Sequence, residues 1–237
     1  MTAGANPLRV LIVDDEPAIL RFLRAGLAAQ GFVVSEAGAG GPALDVIRRH
    51  GTDLVVLDLG LPDMDGLDVI RQVRDEGLAV PIIVLSSRDD ERSKVAALDG
   101  GADDFLTKPF GVDELFARIR AAQRHRLQQA GERPVFRSGD LMVDLVRRVV
   151  SVRGTEVRLS RREYDLLRLL VAHAGKVLTH RQVLGEIWTA DTDVQYLRIY
   201  IRALRQKIEA EPDRPAHILT ETGVGYRLRM ADWEQSS

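Results

Sequence analysis

Apolar residues in the first half of the chain come in short unbroken runs, not in alternation. The runs are Arg9–Asp14 (RVLIVD), Val33–Ala37, Leu54–Asp58 (LVVLD), Pro81–Ser86 (PIIVLS) and Phe105–Lys108. Runs of this length with no polar face predict strands of a sheet covered on both sides. Between them, apolar positions return with a helical period over Ala18–Gln30, Ala43–Arg49, Leu67–Glu76, Glu91–Asp99 and Glu114–Arg126. Pro17 and Pro42 fall where a first helical turn tolerates proline, and Gly31, Gly51, Gly77 and Gly100 fall where helices end. Repeated alternation of strand and helix predicts an α/β fold on a parallel, doubly wound sheet.

The pattern changes after a polar stretch, His125–Arg133 (HRLQQAGER), which lacks apolar periodicity. It reads as a linker over residues 125–134, separating a first domain at 8–124 from a second at 135–232. The second domain opens with short alternating strands at Leu141–Asp144, Val149–Val152 and Val157–Leu159. Ser160-Arg-Arg-Glu163 and Thr179-His-Arg-Gln182 are capping boxes that open helices over Tyr164–His173 and Val183–Trp188. A third helix, Val194–Glu209, follows the polar loop Thr189–Asp193. Ile218–Glu221, the turn glycines Gly223 and Gly225, and Tyr226–Met230 predict a closing β-hairpin. Helix, turn, helix and hairpin together predict an α+β winged helix-turn-helix.

Composition sharpens this division. A length of 237 residues suits two domains, and 45% apolar with 29% charged residues excludes a disordered chain. The net charge of −2 hides a split: residues 1–126 carry 15 Lys/Arg against 20 Asp/Glu, and residues 127–237 carry 18 against 15. A basic second half hints at a polyanionic partner. The absence of cysteine excludes disulfides, thiolate catalysis and Cys-ligated metals. No apolar run approaches the ~20 residues of a membrane span, and Met1–Pro7 lacks a signal pattern. The expectation is a cytoplasmic protein with no membrane partner.

The strand assignment carries chemistry with it. In an open parallel sheet the site lies beyond the carboxyl ends of the strands. Asp14 and Asp15 end the first run, Asp58 the third, Ser86 the fourth and Lys108 the fifth. Carboxylates gathered in this way repel unless a cation joins them, and hard oxygen ligands suit Mg²⁺. A carboxylate nucleophile, a cation and an ammonium group fit phosphoryl transfer. Asp58, alone at a central strand end, is the expected phospho-acceptor. Asp14 and Asp15 are expected to hold the metal, Lys108 to pair with phosphate, and Ser86 to hydrogen-bond it. An aspartyl phosphotransferase acting on an outside substrate needs a second acid just after the nucleophile. Gly60 occupies that position, so a non-enzymatic role is favoured.

Asp14-Asp15, Asp58-Leu-Gly-Leu-Pro62-Asp-Met-Asp-Gly66, Ser86 and Gly101-Ala-Asp-Asp-Phe105-Leu-Thr-Lys108-Pro109-Phe110 resemble the receiver domain of two-component response regulators. The resemblance implies a flavodoxin-like fold with strand order 2-1-3-4-5 and phosphorylation of Asp58 by a sensor histidine kinase. It implies Mg²⁺ bound by Asp15, Asp58 and the Gly60 carbonyl with help from Asp14, and Ser86 and Phe105 as switch residues. It also implies a homodimer of phosphorylated receivers, with Lys94 paired to Glu114, Asp104 to Arg118 and Asp99 to Arg120 across a two-fold axis. Val95, Leu98 and Leu115 would add apolar burial there.

In the third C-terminal helix, Leu197, Ile201, Leu204 and Ile208 form one apolar stripe, and Arg198, Arg202 and Arg205 recur at i, i+4 and i+7 on another face. An arginine stripe opposite a core stripe suits a helix in the major groove of promoter DNA. Tyr196, Tyr200 and Lys207 are further candidate contacts. Leu159-Ser-Arg-Arg-Glu163-Tyr164, Gly175-Lys-Val-Leu-Thr179-His-Arg181 and Thr222-Gly-Val-Gly-Tyr226-Arg227 resemble the effector domain of the OmpR/PhoB subfamily. That likeness implies a DNA contact for Arg227 in the wing and an RNA polymerase contact for the loop Thr189–Asp193. Ala203 departs from it, standing where many relatives carry a basic residue. Tyr196-Leu-Arg-Ile-Tyr-Ile201, Pro212-Asp-Arg-Pro215 and Thr220-Glu-Thr-Gly-Val-Gly-Tyr226 are similar to regulators of high-affinity potassium transport. This implies the sensor kinase of those systems as partner.

Overall fold

The structure is a computed structural model and describes residues 7–87, 91–129, 131–188 and 192–230. They fall into two compact units, residues 7–129 and 131–230. The first unit alternates strand and helix: β1 (Arg9–Val13), α1 (Pro17–Ala29), β2 (Val33–Ala37), α2 (Gly40–His50), β3 (Leu54–Asp58), α3 (Gly66–Asp75), β4 (Ile82–Ser86), α4 (Glu91–Asp99), β5 (Asp104–Thr107) and α5 (Val112–Gln129). The strands pair in parallel in the order β2-β1-β3-β4-β5.

The unbroken apolar runs have the expected cause. Leu11, Val13, Val55, Leu57, Ile82 and Val84 pack in one cluster with Ala43, Leu44 and Ile47 of α2 and with Val69, Ile70 and Val73 of α3. Their neighbours Val10, Ile12, Leu54, Val56, Ile83 and Leu85 pack in another, with Leu23 and Leu27 of α1 and Leu115, Phe116 and Ile119 of α5. Every residue of β3 and β4 is buried between these layers. Burying each such side chain contributes about 1.5–3 kcal/mol. The chain runs from β1 outward to β2, then crosses to β3 on the other side. The reversal opens a crevice at the carboxyl ends of β1 and β3, where sheets of this order hold their sites.

Two expectations need correction here. Residues 125–129 are the end of α5, not linker. No proline or glycine interrupts HRLQQ, and Leu127 is buried, which gives the polar stretch an apolar anchor. Leu115 is also fully buried among the α5 core residues, so it is not available to a dimer face.

The second unit opens with four antiparallel strands in sequence order: β6 (Val135–Ser138), β7 (Leu141–Asp144), β8 (Val149–Val152) and β9 (Thr155–Glu156). The ladder ends earlier than Val157–Leu159, although the Val157 N–H still donates to Val150 O at 2.8 Å. Then come α6 (Arg161–Ala172), β10 (Val177–Thr179), α7 (His180–Ile187), α8 (Val194–Ile208), β11 (Ile218–Glu221) and β12 (Gly225–Leu228). Both capping boxes form, Ser160 with Glu163 and Thr179 with Gln182. Leu197, Ile201, Leu204 and Ile208 are buried, as the stripe on α8 requires.

The hairpin β11–β12 is joined by β10, giving the order β10-β12-β11. It is fastened to α8 at two points. Arg205 donates to Ile218 O (3.1 and 2.6 Å) and to Thr220 Oγ1 (2.7 Å). Glu209, just past the end of α8, accepts from the backbone N–H groups of Ala216 (2.7 Å), His217 (3.0 Å) and Ile218 (2.8 Å). The buried His217 ring lies 2.8 Å from Asp140 Oδ1, linking the hairpin to the β6–β7 turn. Among the described residues, no helix is long and apolar enough to cross a membrane.

Candidate functional site

The carboxyl ends of the central strands bring Asp14, Asp58, Ser86 and Lys108 together with Asp15, as the strand pattern predicts. One carboxylate oxygen from each of Asp14, Asp15 and Asp58 lies within 4.8 Å of the others. Asp14 and Ser86 are 1% exposed and Asp58 is 8% exposed, whereas Asp15 is exposed. Asp14 is held at both oxygens: the Glu16 N–H donates to Oδ1 (2.9 Å) and Lys108 Nζ to Oδ2 (2.7 Å). Lys108 Nζ also reaches Asp58 Oδ1 at 3.4 Å. The Lys108 N–H donates to Ser86 O (2.9 Å), which fixes the end of β5 beside that of β4.

Local structure after β3 shapes the nucleophile's surroundings. The Gly60 N–H donates to Asp58 Oδ2 (3.2 Å), and Gly60 bridges Asp65 as the loop doubles back. Asp65 caps α3 by accepting from the Leu67 N–H (3.0 Å). Gly66 touches the strand end so closely that a Cβ would sit 2.5 Å from Asp58 O. From the same loop, Asp63 accepts from the Gly40 and Gly41 N–H groups (2.8 Å each). It thereby caps α2, whose own cap position, Ala39, offers no side-chain acceptor.

The electrostatics of the pocket favour an incoming cation. Burial pushes the Asp58 carboxyl up; Lys108 opposes this and the charge of Asp14 adds to it, leaving the pKa raised. Burial works against the Lys108 ammonium, but its bond to Asp14 and the charges of both carboxylates outweigh burial and raise its pKa. Three carboxylates then face one ammonium. The net negative charge and the all-oxygen donor set fit a hard divalent ion such as Mg²⁺.

On β5, Phe105 is half-buried against the core, and Lys94 Nζ lies 5.9 Å from its ring centre. Arg118 bonds within its own chain to both oxygens of Asp104 (2.9 and 3.0 Å) and to Glu114 (2.9 Å). Asp99 and Arg120 are exposed, as are Val95 (48%) and Leu98 (46%).

On α8, Tyr196, Arg198 and Arg202 are exposed. The remaining candidates make contacts within their own chain. Arg205 holds the hairpin, and burial lowers its pKa. Lys207 Nζ bonds Glu163 Oε2 (2.6 Å), the glutamate of the α6 capping box. Burial alone would raise the Glu163 pKa, but Lys207 and the Ser160 N–H reverse this and hold it low. Tyr200 rests on Trp188, ring centres 5.3 Å apart, and the Arg162 guanidinium lies 5.7 Å from the ring centre of the same tryptophan. Arg227 Nη2 pairs with Glu221 across the hairpin at 2.5 Å. Residues 189–191 of the loop Thr189–Asp193 lie outside the described residues.

Known proteins match this arrangement in both units. Residues 10–120 match the response regulator receiver domain, and residues 154–228 match the C-terminal domain of transcriptional regulatory proteins. The KDP operon transcriptional regulatory protein KdpE of Escherichia coli is 48% identical, over 93% of this chain and 99% of its own length. This chain belongs to the OmpR/PhoB-type two-component response regulators. The transcriptional regulatory protein KdpE of Mycobacterium tuberculosis is 46% identical over 92% of this chain and 98% of its own. A CheY-like receiver domain protein from Methanospirillum hungatei is similar in structure, 27% identical with a TM-score of 0.50, over 52% of this chain and 99% of that one. As an OmpR/PhoB-type response regulator, the protein is a phosphorylation-dependent DNA-binding regulator with a histidine kinase partner, and not an enzyme.

Proposed function

We propose that this response regulator accepts a phosphoryl group on Asp58 from a KdpD-type sensor histidine kinase in the cytoplasm. In that form it dimerises and controls transcription of potassium-transport genes through RNA polymerase. The observation that carries the first part is the convergence of Asp14, Asp15, Asp58 and Lys108 at one sheet edge. The potassium assignment rests on the near full-length similarity to two KdpE proteins.

Asp58 is the nucleophile because it alone of the three carboxylates ends the central strand, and its contact with Lys108 (3.4 Å) is looser than the 2.7 Å bond that engages Asp14. Asp14, Asp15, Asp58 and the Gly60 carbonyl are the oxygens that would hold Mg²⁺, which when bound neutralises charge on the phosphoryl oxygens. Lys108 already spans Asp14 and Asp58, so its ammonium stands where a phosphoryl oxygen on Asp58 needs a partner. Ser86 offers the hydroxyl beside it, and Phe105 lies on the strand next to β4, where movement of Ser86 is passed to the α4–β5–α5 face.

Dimerisation through that face pairs Lys94 with Glu114, Asp99 with Arg120 and Asp104 with Arg118 of a second copy. Arg118 exchanges a partner in its own chain for the same partner in the other, so the ion pairs set orientation and contribute little net energy. Val95 and Leu98 supply the apolar burial. Pairing two effector units then raises their effective concentration on adjacent half-sites.

Genome-wide mapping of bound DNA tests the assignment. Recovery of promoters of potassium-transport genes supports it, and a bound set without them overturns it. The exposed arginines give a second expectation. Arg198→Ala or Arg202→Ala weakens promoter binding by about 1–3 kcal/mol in gel shifts at fixed salt, with an unchanged melting temperature. Arg205→Ala also weakens binding, but lowers the melting temperature with it, because it frees the hairpin. Loss of affinity in Arg205→Ala without loss of stability would return that residue to the DNA interface.

A further inference from the structure

Ile199 is the most exposed large apolar side chain among the described residues, at 63%. It stands in the middle of the outward face of α8. The exposed polar residues Gln195, Arg202 and Gln206 flank it at i−4, i+3 and i+7, and Arg198 precedes it. The apolar stripe that α8 needs for folding is complete without it, since Leu197, Ile201, Leu204 and Ile208 are all at most 2% exposed. Isoleucine is also a poorer helix former than the arginine, lysine or glutamine that a solvated face ordinarily carries. Neither packing nor local propensity accounts for this residue, and its place between exposed arginines leaves it available to a bound partner.

The surroundings specify the partner's chemistry. Two exposed arginines border Ile199, which suits a polyanion and disfavours an apolar protein surface. In the major groove the one apolar feature on the base edges is the 5-methyl group of thymine. Ala203, half-buried and one turn further along the same face, extends the apolar strip. Tyr196, 57% exposed, extends it in the other direction.

We infer that Ile199, with Ala203 beside it, reads a thymine methyl in each half-site, next to the base edges within reach of Arg202 and Gln195. The residue thus sets sequence preference by shape and apolar contact, where the arginines set it by hydrogen bonds.

The test uses the full chain and randomised duplex pools synthesised with dTTP or with dUTP in its place. The wild type should enrich a motif containing a thymine in the dTTP pool. Changing that one thymine to uracil in the selected duplex should then lower affinity about fourfold, the worth of about one buried methylene-sized group. Ile199→Ala should bind the thymine and uracil duplexes equally, with an unchanged melting temperature because the side chain is outside the core. A 5-methylcytosine in place of cytosine at that position should raise wild-type affinity. Equal wild-type affinity for thymine and uracil at every position of an enriched motif overturns the inference and leaves DNA recognition intact. Failure to enrich any motif overturns both.

Discussion

Asp58→Asn is expected to abolish labelling by acetyl phosphate in the presence of Mg²⁺ while leaving the receiver unit at least as stable as before. The amide keeps the shape of the carboxyl and can still accept from the Gly60 N–H, but it has no anionic oxygen to attack phosphorus. Labelling that persists in the variant would move the acceptor elsewhere. The stability half of this expectation follows from the raised pKa of Asp58. A carboxyl whose pKa is raised by folding binds its proton more tightly in the folded state. Its stabilising contribution is therefore full below the unfolded-state value of about 3.9 and is lost as pH rises through the folded value. At neutral pH the ionised Asp58 opposes folding, through burial and through Asp14. Asparagine removes that opposition, and Lys108 keeps its bond to Asp14. Urea midpoints should favour the variant at neutral pH and converge as pH falls below the carboxylate range. A lower midpoint for the variant at neutral pH would show that Lys108 outweighs burial.

The second large effect is expected from Gly225→Ala. Gly225 sits between two strands, in register with Thr179 of β10 and Glu221 of β11. A Cβ there would lie 1.9 Å from Leu178 O and 2.9 Å from Thr179 Cα, both backbone atoms that cannot turn aside. The substitution must part β10 from β12. That disturbs Thr179, the cap of α7, and the edge contact of His180 with Tyr226 at 5.5 Å. A loss on the order of 3 kcal/mol is expected, together with loss of promoter binding, while labelling at Asp58 persists. Gly223 in the same turn provides the control. It has φ +78°, and a Cβ added to it would meet nothing within 4 Å, so Gly223→Ala brings backbone strain of only about 1–2 kcal/mol. Equal melting temperatures for the two variants would remove the steric argument.

The receiver was legible because its two signals are local and its site follows from topology. Unbroken apolar runs fix a two-sided sheet, and the sheet carries Asp14, Asp58, Ser86 and Lys108 to one edge. Their order in the chain shows nothing of this proximity, but the strand ends do. The effector unit was less legible at its surface. Arg198, Arg202 and Arg205 share a stripe by periodicity, yet Arg205 finds Ile218 O and Thr220, and Lys207 finds Glu163. Those partners lie 13 to 44 positions away in the chain, beyond any helical period. Strand β10 is three residues long, too short to show alternation, and exists because β12 offers it a partner. Ile199 is hidden in the sequence for the opposite reason. In a helix with an apolar stripe one more isoleucine looks like core, and only its exposure shows that it is not.

The double fastening of α8 to the hairpin has a mechanical consequence for the DNA. Arg205 and Glu209 clamp five backbone and side-chain groups between Ala216 and Thr220. In the DNA-bound form proposed above, with α8 in the major groove, helix and hairpin therefore move as one tool with one fixed span. Any mismatch between that span and the local groove geometry is taken up by the double helix. Sites with pliant base steps between the two contacts should be preferred over stiff ones, even where no side chain touches those steps.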